Sequence, residues 1–166
     1  DFNYTADHAR AMLSATRYNV VSCSSQAIER HRIDLSRYAM VDLLLGNECD
    51  DGHSLVPYKT FSPQMQHLLA TYVTKGGRLL VSGSYVGTDM QSAAEQAFLA
   101  KVLKVRYGGV NQADSIERVT GMGTSFDIYR QINEEHYAAA SADVLQPIST
   151  AFSVMQYPDR RSAAVA

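Results

Sequence analysis

The sequence predicts an α/β domain: a three-layer α/β/α sandwich with a mainly parallel, flavodoxin-like sheet and a short antiparallel extension towards the C-terminus. Three observations carry that prediction. Helical patterns alternate with short apolar runs. The run Leu79-Leu80-Val81 is continuous rather than alternating, as in a strand buried on both faces of a parallel sheet. Gly76-Gly77 before it and Gly83-Ser84-Tyr85-Val86-Gly87 after it read as a helix stop and a sharp strand-to-helix elbow.

The other elements follow in order. Ala9, Met12, Leu13 and Thr16 recur at helical spacing, which predicts an amphipathic helix over about residues 5–16. Tyr18 to Cys23 reads as a short strand, and Ser24 or Ser25 as the cap of a short helix. Ile33 to Tyr38 is a connector with apolar anchors. Ala39 to Leu45 is a strong strand ended by Gly46, with Asp42 inside it as a hydrogen-bonded carboxylate. Asn47 to Thr60 is a long loop leaving the carboxyl end of that strand, where ligands bind in open α/β sheets. Ser62-Pro63 opens a helix with an N-cap and a proline at its first position, and Met65, Leu68, Leu69, Tyr72 and Val73 form its apolar stripe. Ser92 and Glu95 form a capping box for a helix running to about Leu103, with Ala94, Ala97, Phe98 and Val102 inward. Lys104 to Tyr107, Ser115 to Val119, Phe126 to Ile128 and Ala151 to Gln156 read as strands, with Gly121-Met122-Gly123 as a turn and 133–137 as one helical turn. A strand begins at Ser162. One domain over 1–166, a piece of a larger protein, is the expected organisation.

Composition narrows the function. With 166 residues and 46% hydrophobic content the chain can bury a sizeable core. The net charge of −2 with no basic stripe argues against a nucleic-acid partner, and no apolar run is long enough to span a membrane. Cys23 and Cys49 form no disulfide framework. They are read as free thiols in preference to a bridge, although both follow predicted strands.

The candidate site is the rim where the 46–60 loop meets the elbow: Glu48, Asp50, Asp51, His53, Lys59, Ser84, Tyr85 and Asp89. Tyr58 and Tyr85 offer rings to stack on a sugar, and the polar groups offer hydrogen bonds to its hydroxyls. Asp50, Asp51 and His53 read as an Asp-Gly turn rather than a metal site, and no cofactor is expected. Ser84 precedes the elbow apex, which turns its hydroxyl away from the position of a nucleophile, with His53 or His136 as its base. Tyr85 holds the apex itself. A phenol with an ordinary pKa near ~10 is a poor acyl-transfer nucleophile, yet with His53 and Asp51 it is a candidate acid–base group. His8, His31 and His67 read as solvent-facing.

Leu35-Ser36, Tyr38 and Val41 to Leu45, followed by Ser62-Pro63, Met65-Gln66, Leu68-Leu69, Tyr72-Val73 and Gly76 to Gly83, resemble the class I glutamine amidotransferase-like superfamily and its ThuA-like branch. The likeness covers about the first two-thirds of the chain. More narrowly, Asp51 to Ser62 and Val81 to Met90 look like a domain of secreted Bacteroidetes proteins often labelled xanthan lyases. The family's nucleophilic cysteine falls at Tyr85, and its His-x-Glu pair has no match, the nearest cluster being Glu134-Glu135-His136. The resemblance therefore implies a non-catalytic, carbohydrate-binding or structural module outside the cytoplasm, extracellular or periplasmic, with other domains of its parent chain as neighbours. The alternative is a glycan-acting hydrolase or lyase with an unusual elbow.

Overall fold

The structure is a computed structural model that describes residues 2–112, 116–132 and 138–166. Helix α1 (Phe2–Ala15) is followed by α2 (Ser25–Glu29), β1 (Met40–Gly46), α3 (Pro63–Thr74), β2 (Arg78–Gly83) and α4 (Ala93–Phe98), which continues as a π-helical turn to Leu103. Then come β3 (Val105–Val110), β4 (Glu117–Gly121), β5 (Thr124–Ile128), β6 (Asp143–Pro147), β7 (Ser153–Gln156) and β8 (Ser162–Val165). Helix boundaries follow local chemistry. The Ser24 and Ser62 hydroxyls accept from the Ala27 and Met65 amides, and Ser92 with Glu95 closes a full capping box.

The predicted mainly parallel three-layer sandwich does not form. Among the described residues only β1 and β2 pair in parallel, with Met40 opposite Arg78 and Leu44 opposite Ser82. β3 and β6 are antiparallel, and β5-β4-β7-β8 is a four-stranded antiparallel sheet. The reason lies in the connections. Parallel strands need a long crossover, and α3 supplies one between β1 and β2. The β4–β5 link is only Met122-Gly123, with φ of 51° and 74° at the two residues, the backbone of a tight hairpin. β6, with Asp143 at its start and Pro147 at its end, carries no clear strand pattern and escapes the sequence reading.

Strand alternation divides the β1–β2 pair into two faces. Leu43 and Leu45 face inward and join Met65 and Leu69 of α3, with Ile28, Phe61, Met90, Phe98 and Leu99, in the larger core. Fully burying a side chain such as Leu69 stabilises the fold by about 2 kcal/mol. The other face carries Met40, Asp42 and Leu80, and Asp42 meets His8 of α1. Leu80 is 43% exposed, so β2 is buried on one face and not on both as predicted. A smaller core gathers Val119, Ala142, Val144, Met155 and Tyr157. The expected strand at Tyr18 to Cys23 is also absent. Tyr18 and Val21 are 56% and 66% exposed, and the segment runs without regular structure. Val20 is half-buried and Val21 exposed, and no strand among the described residues pairs with the segment.

Candidate functional site

The elbow sequence builds a strained turn. Gly83 sits at φ 149°, and a Cβ there would lie 2.7 Å from the Leu45 Cβ, so only glycine fits. Tyr85 adopts φ 58°, a left-handed conformation that costs a bulky side chain on the order of 1–3 kcal/mol. The helix after the elbow starts where the Ser92–Glu95 capping box predicts. Residues 86–89 form a turn in which the Met90 amide donates to the Gly87 carbonyl at 3.0 Å, and α4 starts at Ala93.

A buried carboxylate fills this turn. Asp143, at the start of β6, accepts from the Gly87 and Thr88 amides on Oδ2 at 2.7 and 2.8 Å. Its Oδ1 accepts from the Thr88 and Ser141 hydroxyls at 2.6 and 2.7 Å. Four donors and near-complete burial give charge-assisted hydrogen bonds in a low-dielectric setting. A Cβ on Gly87 would stand 2.5 Å from the Tyr107 ring, so glycine here lets β3 approach the turn. Tyr157 donates its hydroxyl to the Asp143 carbonyl at 2.9 Å, and burial, with the Asp143 charge, pushes its pKa up to about 12.

The long loop is pinned by its own polar side chains. Lys59 pairs with Asp89 at 2.9 Å and reaches Glu95 at 3.4 Å, while the Thr60 amide donates to the other Asp89 oxygen at 2.7 Å. Burial alone would lower the Lys59 pKa, but the two carboxylates outweigh it and hold the amine above its usual value. Asp50 accepts from the Gly52 and Tyr58 amides, Asp51 accepts from the His53 amide, and the Tyr58 hydroxyl donates to the Cys49 carbonyl. The Gly52 amide, chiefly, holds the Asp50 carboxyl below its ordinary range.

A cleft of about 720 Å³ opens at the carboxyl ends of β1 and β2, within the range of small-ligand sites. α1 contributes Thr5 and His8 to its wall, the strand ends contribute Asn47, Glu48, Ser82 and Ser84, and β6 contributes Asp143. The Ser84 hydroxyl donates to Asn47 Oδ1 at 2.8 Å, and Asn47 Nδ2 donates to the Ala138 carbonyl. His8 Nδ1 and Asp42 Oδ2 are 2.7 Å apart, while Asp42 Oδ1 is buried with no hydrogen-bond partner among the described residues. Glu48 is exposed as a residue, yet the surroundings of its carboxyl raise its pKa, by burial first and then by the nearby Glu29 charge. A second depression of about 690 Å³ lies at the other end of β1, against Tyr38, Tyr72 and Lys75.

The predicted rim therefore divides. Glu48 and Ser84 line the cleft, whereas Asp50, Asp51, His53, Lys59, Tyr85 and Asp89 lie outside its lining. Lys59 and Asp89 do meet, but as partners of each other. Asp50 and Asp51 serve the turns of their own loop, and among the described residues no group of three metal-ligating side chains assembles. Ser84 is buried with its hydroxyl directed to Asn47. His31 and His67 are exposed, but His8 is not simply solvent-facing as predicted, being paired with Asp42 on the cleft wall. Cys23 and Cys49 are free thiols. His136 and the Glu134-Glu135-His136 cluster lie outside the described residues. Two features escaped the sequence reading. Asp143 sits in a strand with no pattern to announce it. His8 and Asp42 are 34 positions apart, and the acid buried within an apolar strand was the one available signal.

Among the described residues no helix is long and apolar enough to cross a membrane. Comparison with known protein families, with curated proteins and with solved structures finds no match to this chain.

Proposed function

We propose that this chain is a non-catalytic binding module of a secreted, polysaccharide-related protein, and that the cleft at the carboxyl ends of β1 and β2 takes a polyhydroxylated, sugar-like ligand. One observation carries the non-catalytic half. The Gly87 and Thr88 amides and the Thr88 and Ser141 hydroxyls are all engaged by the Asp143 carboxylate, and the Ser84 hydroxyl by Asn47. Acyl transfer needs a free nucleophile and donors directed at a developing oxyanion. Here the turn already holds an anion of its own. The binding half is supported by the size of the cleft and by its mixed wall of hydroxyl, amide, imidazole and carboxyl groups.

The test is a thermal-shift screen against neutral, basic and acidic oligosaccharides. A ligand that binds only the folded state raises the melting temperature with its occupancy. A shift without turnover, abolished by His8→Ala, supports a binding module. No shift with any glycan rejects it.

A glycan-acting hydrolase or lyase is the second reading, and the left-handed conformation of Tyr85 favours it, because such strain concentrates at working sites. It requires glycan turnover that Tyr85→Phe abolishes. A rate unchanged in that variant ends this version.

A further inference from the structure

The chemistry of the cleft wall restricts which hydroxylated ligand it takes. No lysine or arginine stands among the described residues that line it. Glu48 and Asp143 line it, and Asp42 lies directly behind His8. Asp143 has its charge offset by four donors, but Asp42 has one oxygen bound to His8 and the other buried without a partner among the described residues. A carboxylate oxygen with no described partner behind the cleft wall projects negative potential into it, because low-dielectric walls focus the field. A carboxylated sugar would add a further anion to this wall, while the nearby Arg130 is turned to the Ala139 and Asn111 carbonyls and Arg161 to Asp159 and Asn111. A neutral hydroxyl or a protonated amine would not.

His8 supplies the directional contact. Its side chain is 38% exposed on the cleft wall, while that of Asp42 is 11% exposed. A carboxylate at Nδ1 fixes the ring orientation and, in the neutral ring, the tautomer with the proton on Nδ1. Nε2 is then a bare acceptor for a ligand hydroxyl or ammonium. We infer that the cleft selects neutral or amine-bearing sugars over carboxylated ones, with His8 as the ligand-contacting residue and Asp42 as its positioning residue. This rests on the sugar-binding reading above and specifies its ligand class.

The experiment is calorimetric titration of the whole chain at low salt with three probes: cellotriose (neutral), the glucosamine trimer (cationic) and trigalacturonate (anionic). Cellotriose and the glucosamine trimer are expected to bind, and trigalacturonate to bind at least about tenfold more weakly, with the gap narrowing as salt rises. His8→Gln should weaken the two favoured probes by roughly 3–10-fold, the span of one hydrogen bond. Glu48→Gln, which leaves α1 untouched, should tighten trigalacturonate alone by about threefold. Imidazole nitrogen shifts should show the Nδ1–H tautomer in the native chain, and its loss in Asp42→Asn should come with weaker binding of cellotriose, a coupling that a merely structural Asp42 would not produce. Trigalacturonate binding as tightly as cellotriose overturns the charge selection while leaving sugar binding intact. Unchanged affinity in His8→Gln overturns the assigned contact. Failure of all three probes overturns the sugar-binding reading and this inference with it.

Discussion

Asp143 offers the sharpest energetic test, because two substitutions separate its charge from its geometry. Its carboxylate holds two amides and two hydroxyls at 2.6–2.8 Å in a buried setting. Asp143→Ala strands all four donors. Each unsatisfied buried donor costs about 1–3 kcal/mol, and rotation of the two hydroxyls with entry of a water recovers part of the sum, leaving a loss of about 3–5 kcal/mol. Asp143→Asn keeps the shape. Its oxygen can face the two amides and its amide can face the two hydroxyls, which also accept. What disappears is the charge assistance, about 1–2 kcal/mol. In a chain of this size each kcal/mol lowers the melting temperature by about 2–4 °C, so the alanine variant should melt about 6–20 °C lower and the asparagine variant about 2–8 °C lower. Urea denaturation followed by circular dichroism gives the free energies directly. Equal losses in the two variants, or an alanine loss below about 1 kcal/mol, would refute the claim that a satisfied carboxylate organises the turn.

Three further predictions follow from the same geometry. Gly87→Ala drives a Cβ against the Cδ2, Cγ and Cβ atoms of Tyr107, which cannot simply swing away, and should destabilise by about 1–3 kcal/mol in the same denaturation assay. Tyr157 is raised in the folded state to about 12, so its contribution is complete below its ordinary value near 10.0 and is lost as pH climbs through about 12; Tyr157→Phe should flatten the alkaline unfolding curve in that window. Burial raises the Glu95 carboxyl, but its bonds with the Ser92 amide and hydroxyl and the Lys59 charge bring it below 4.5, so its stabilisation is present above that value and fades as pH falls beneath it; Glu95→Gln should remove this acid sensitivity, read as convergence of the two melting temperatures at low pH.

Local chemistry made much of the chain legible. Ser62 with Pro63, the Met65 to Val73 stripe and the Ser92–Glu95 box each fix an element within a few neighbouring residues, and α3, β1, β2 and α4 stand close to where the sequence puts them. Pairing direction was not local. A continuous apolar run such as Leu79 to Val81 suits a doubly buried strand, but whether a third and fourth strand arrive in parallel depends on connections elsewhere. After β3 several of those connections are short, and the Met122-Gly123 link forces a hairpin. Tyr18 to Cys23 shows the same limit from the other side, since strand propensity without a neighbouring edge yields exposed chain.

The candidate site was half legible for a related reason. Reading the carboxyl ends of strands as ligand territory points to the end of β1 and β2 where the cleft opens beside Glu48 and Ser84. The same reading cannot tell a polar group that faces a ligand from one that serves the fold. Lys59, Asp89 and Asp50 resemble binding groups as a list of residue types, but each has a backbone amide or an opposite charge within hydrogen-bond reach. Asp42 is the reverse case. An acid inside an apolar strand looks structural, and it does bind His8, but a structural acid would satisfy both oxygens and among the described residues this one satisfies one. Burial of a charged oxygen without a partner is a cost that well-formed cores avoid. Its retention behind the cleft wall is most simply tied to what His8 presents there. The most informative residue of the site is thus one that does not line it.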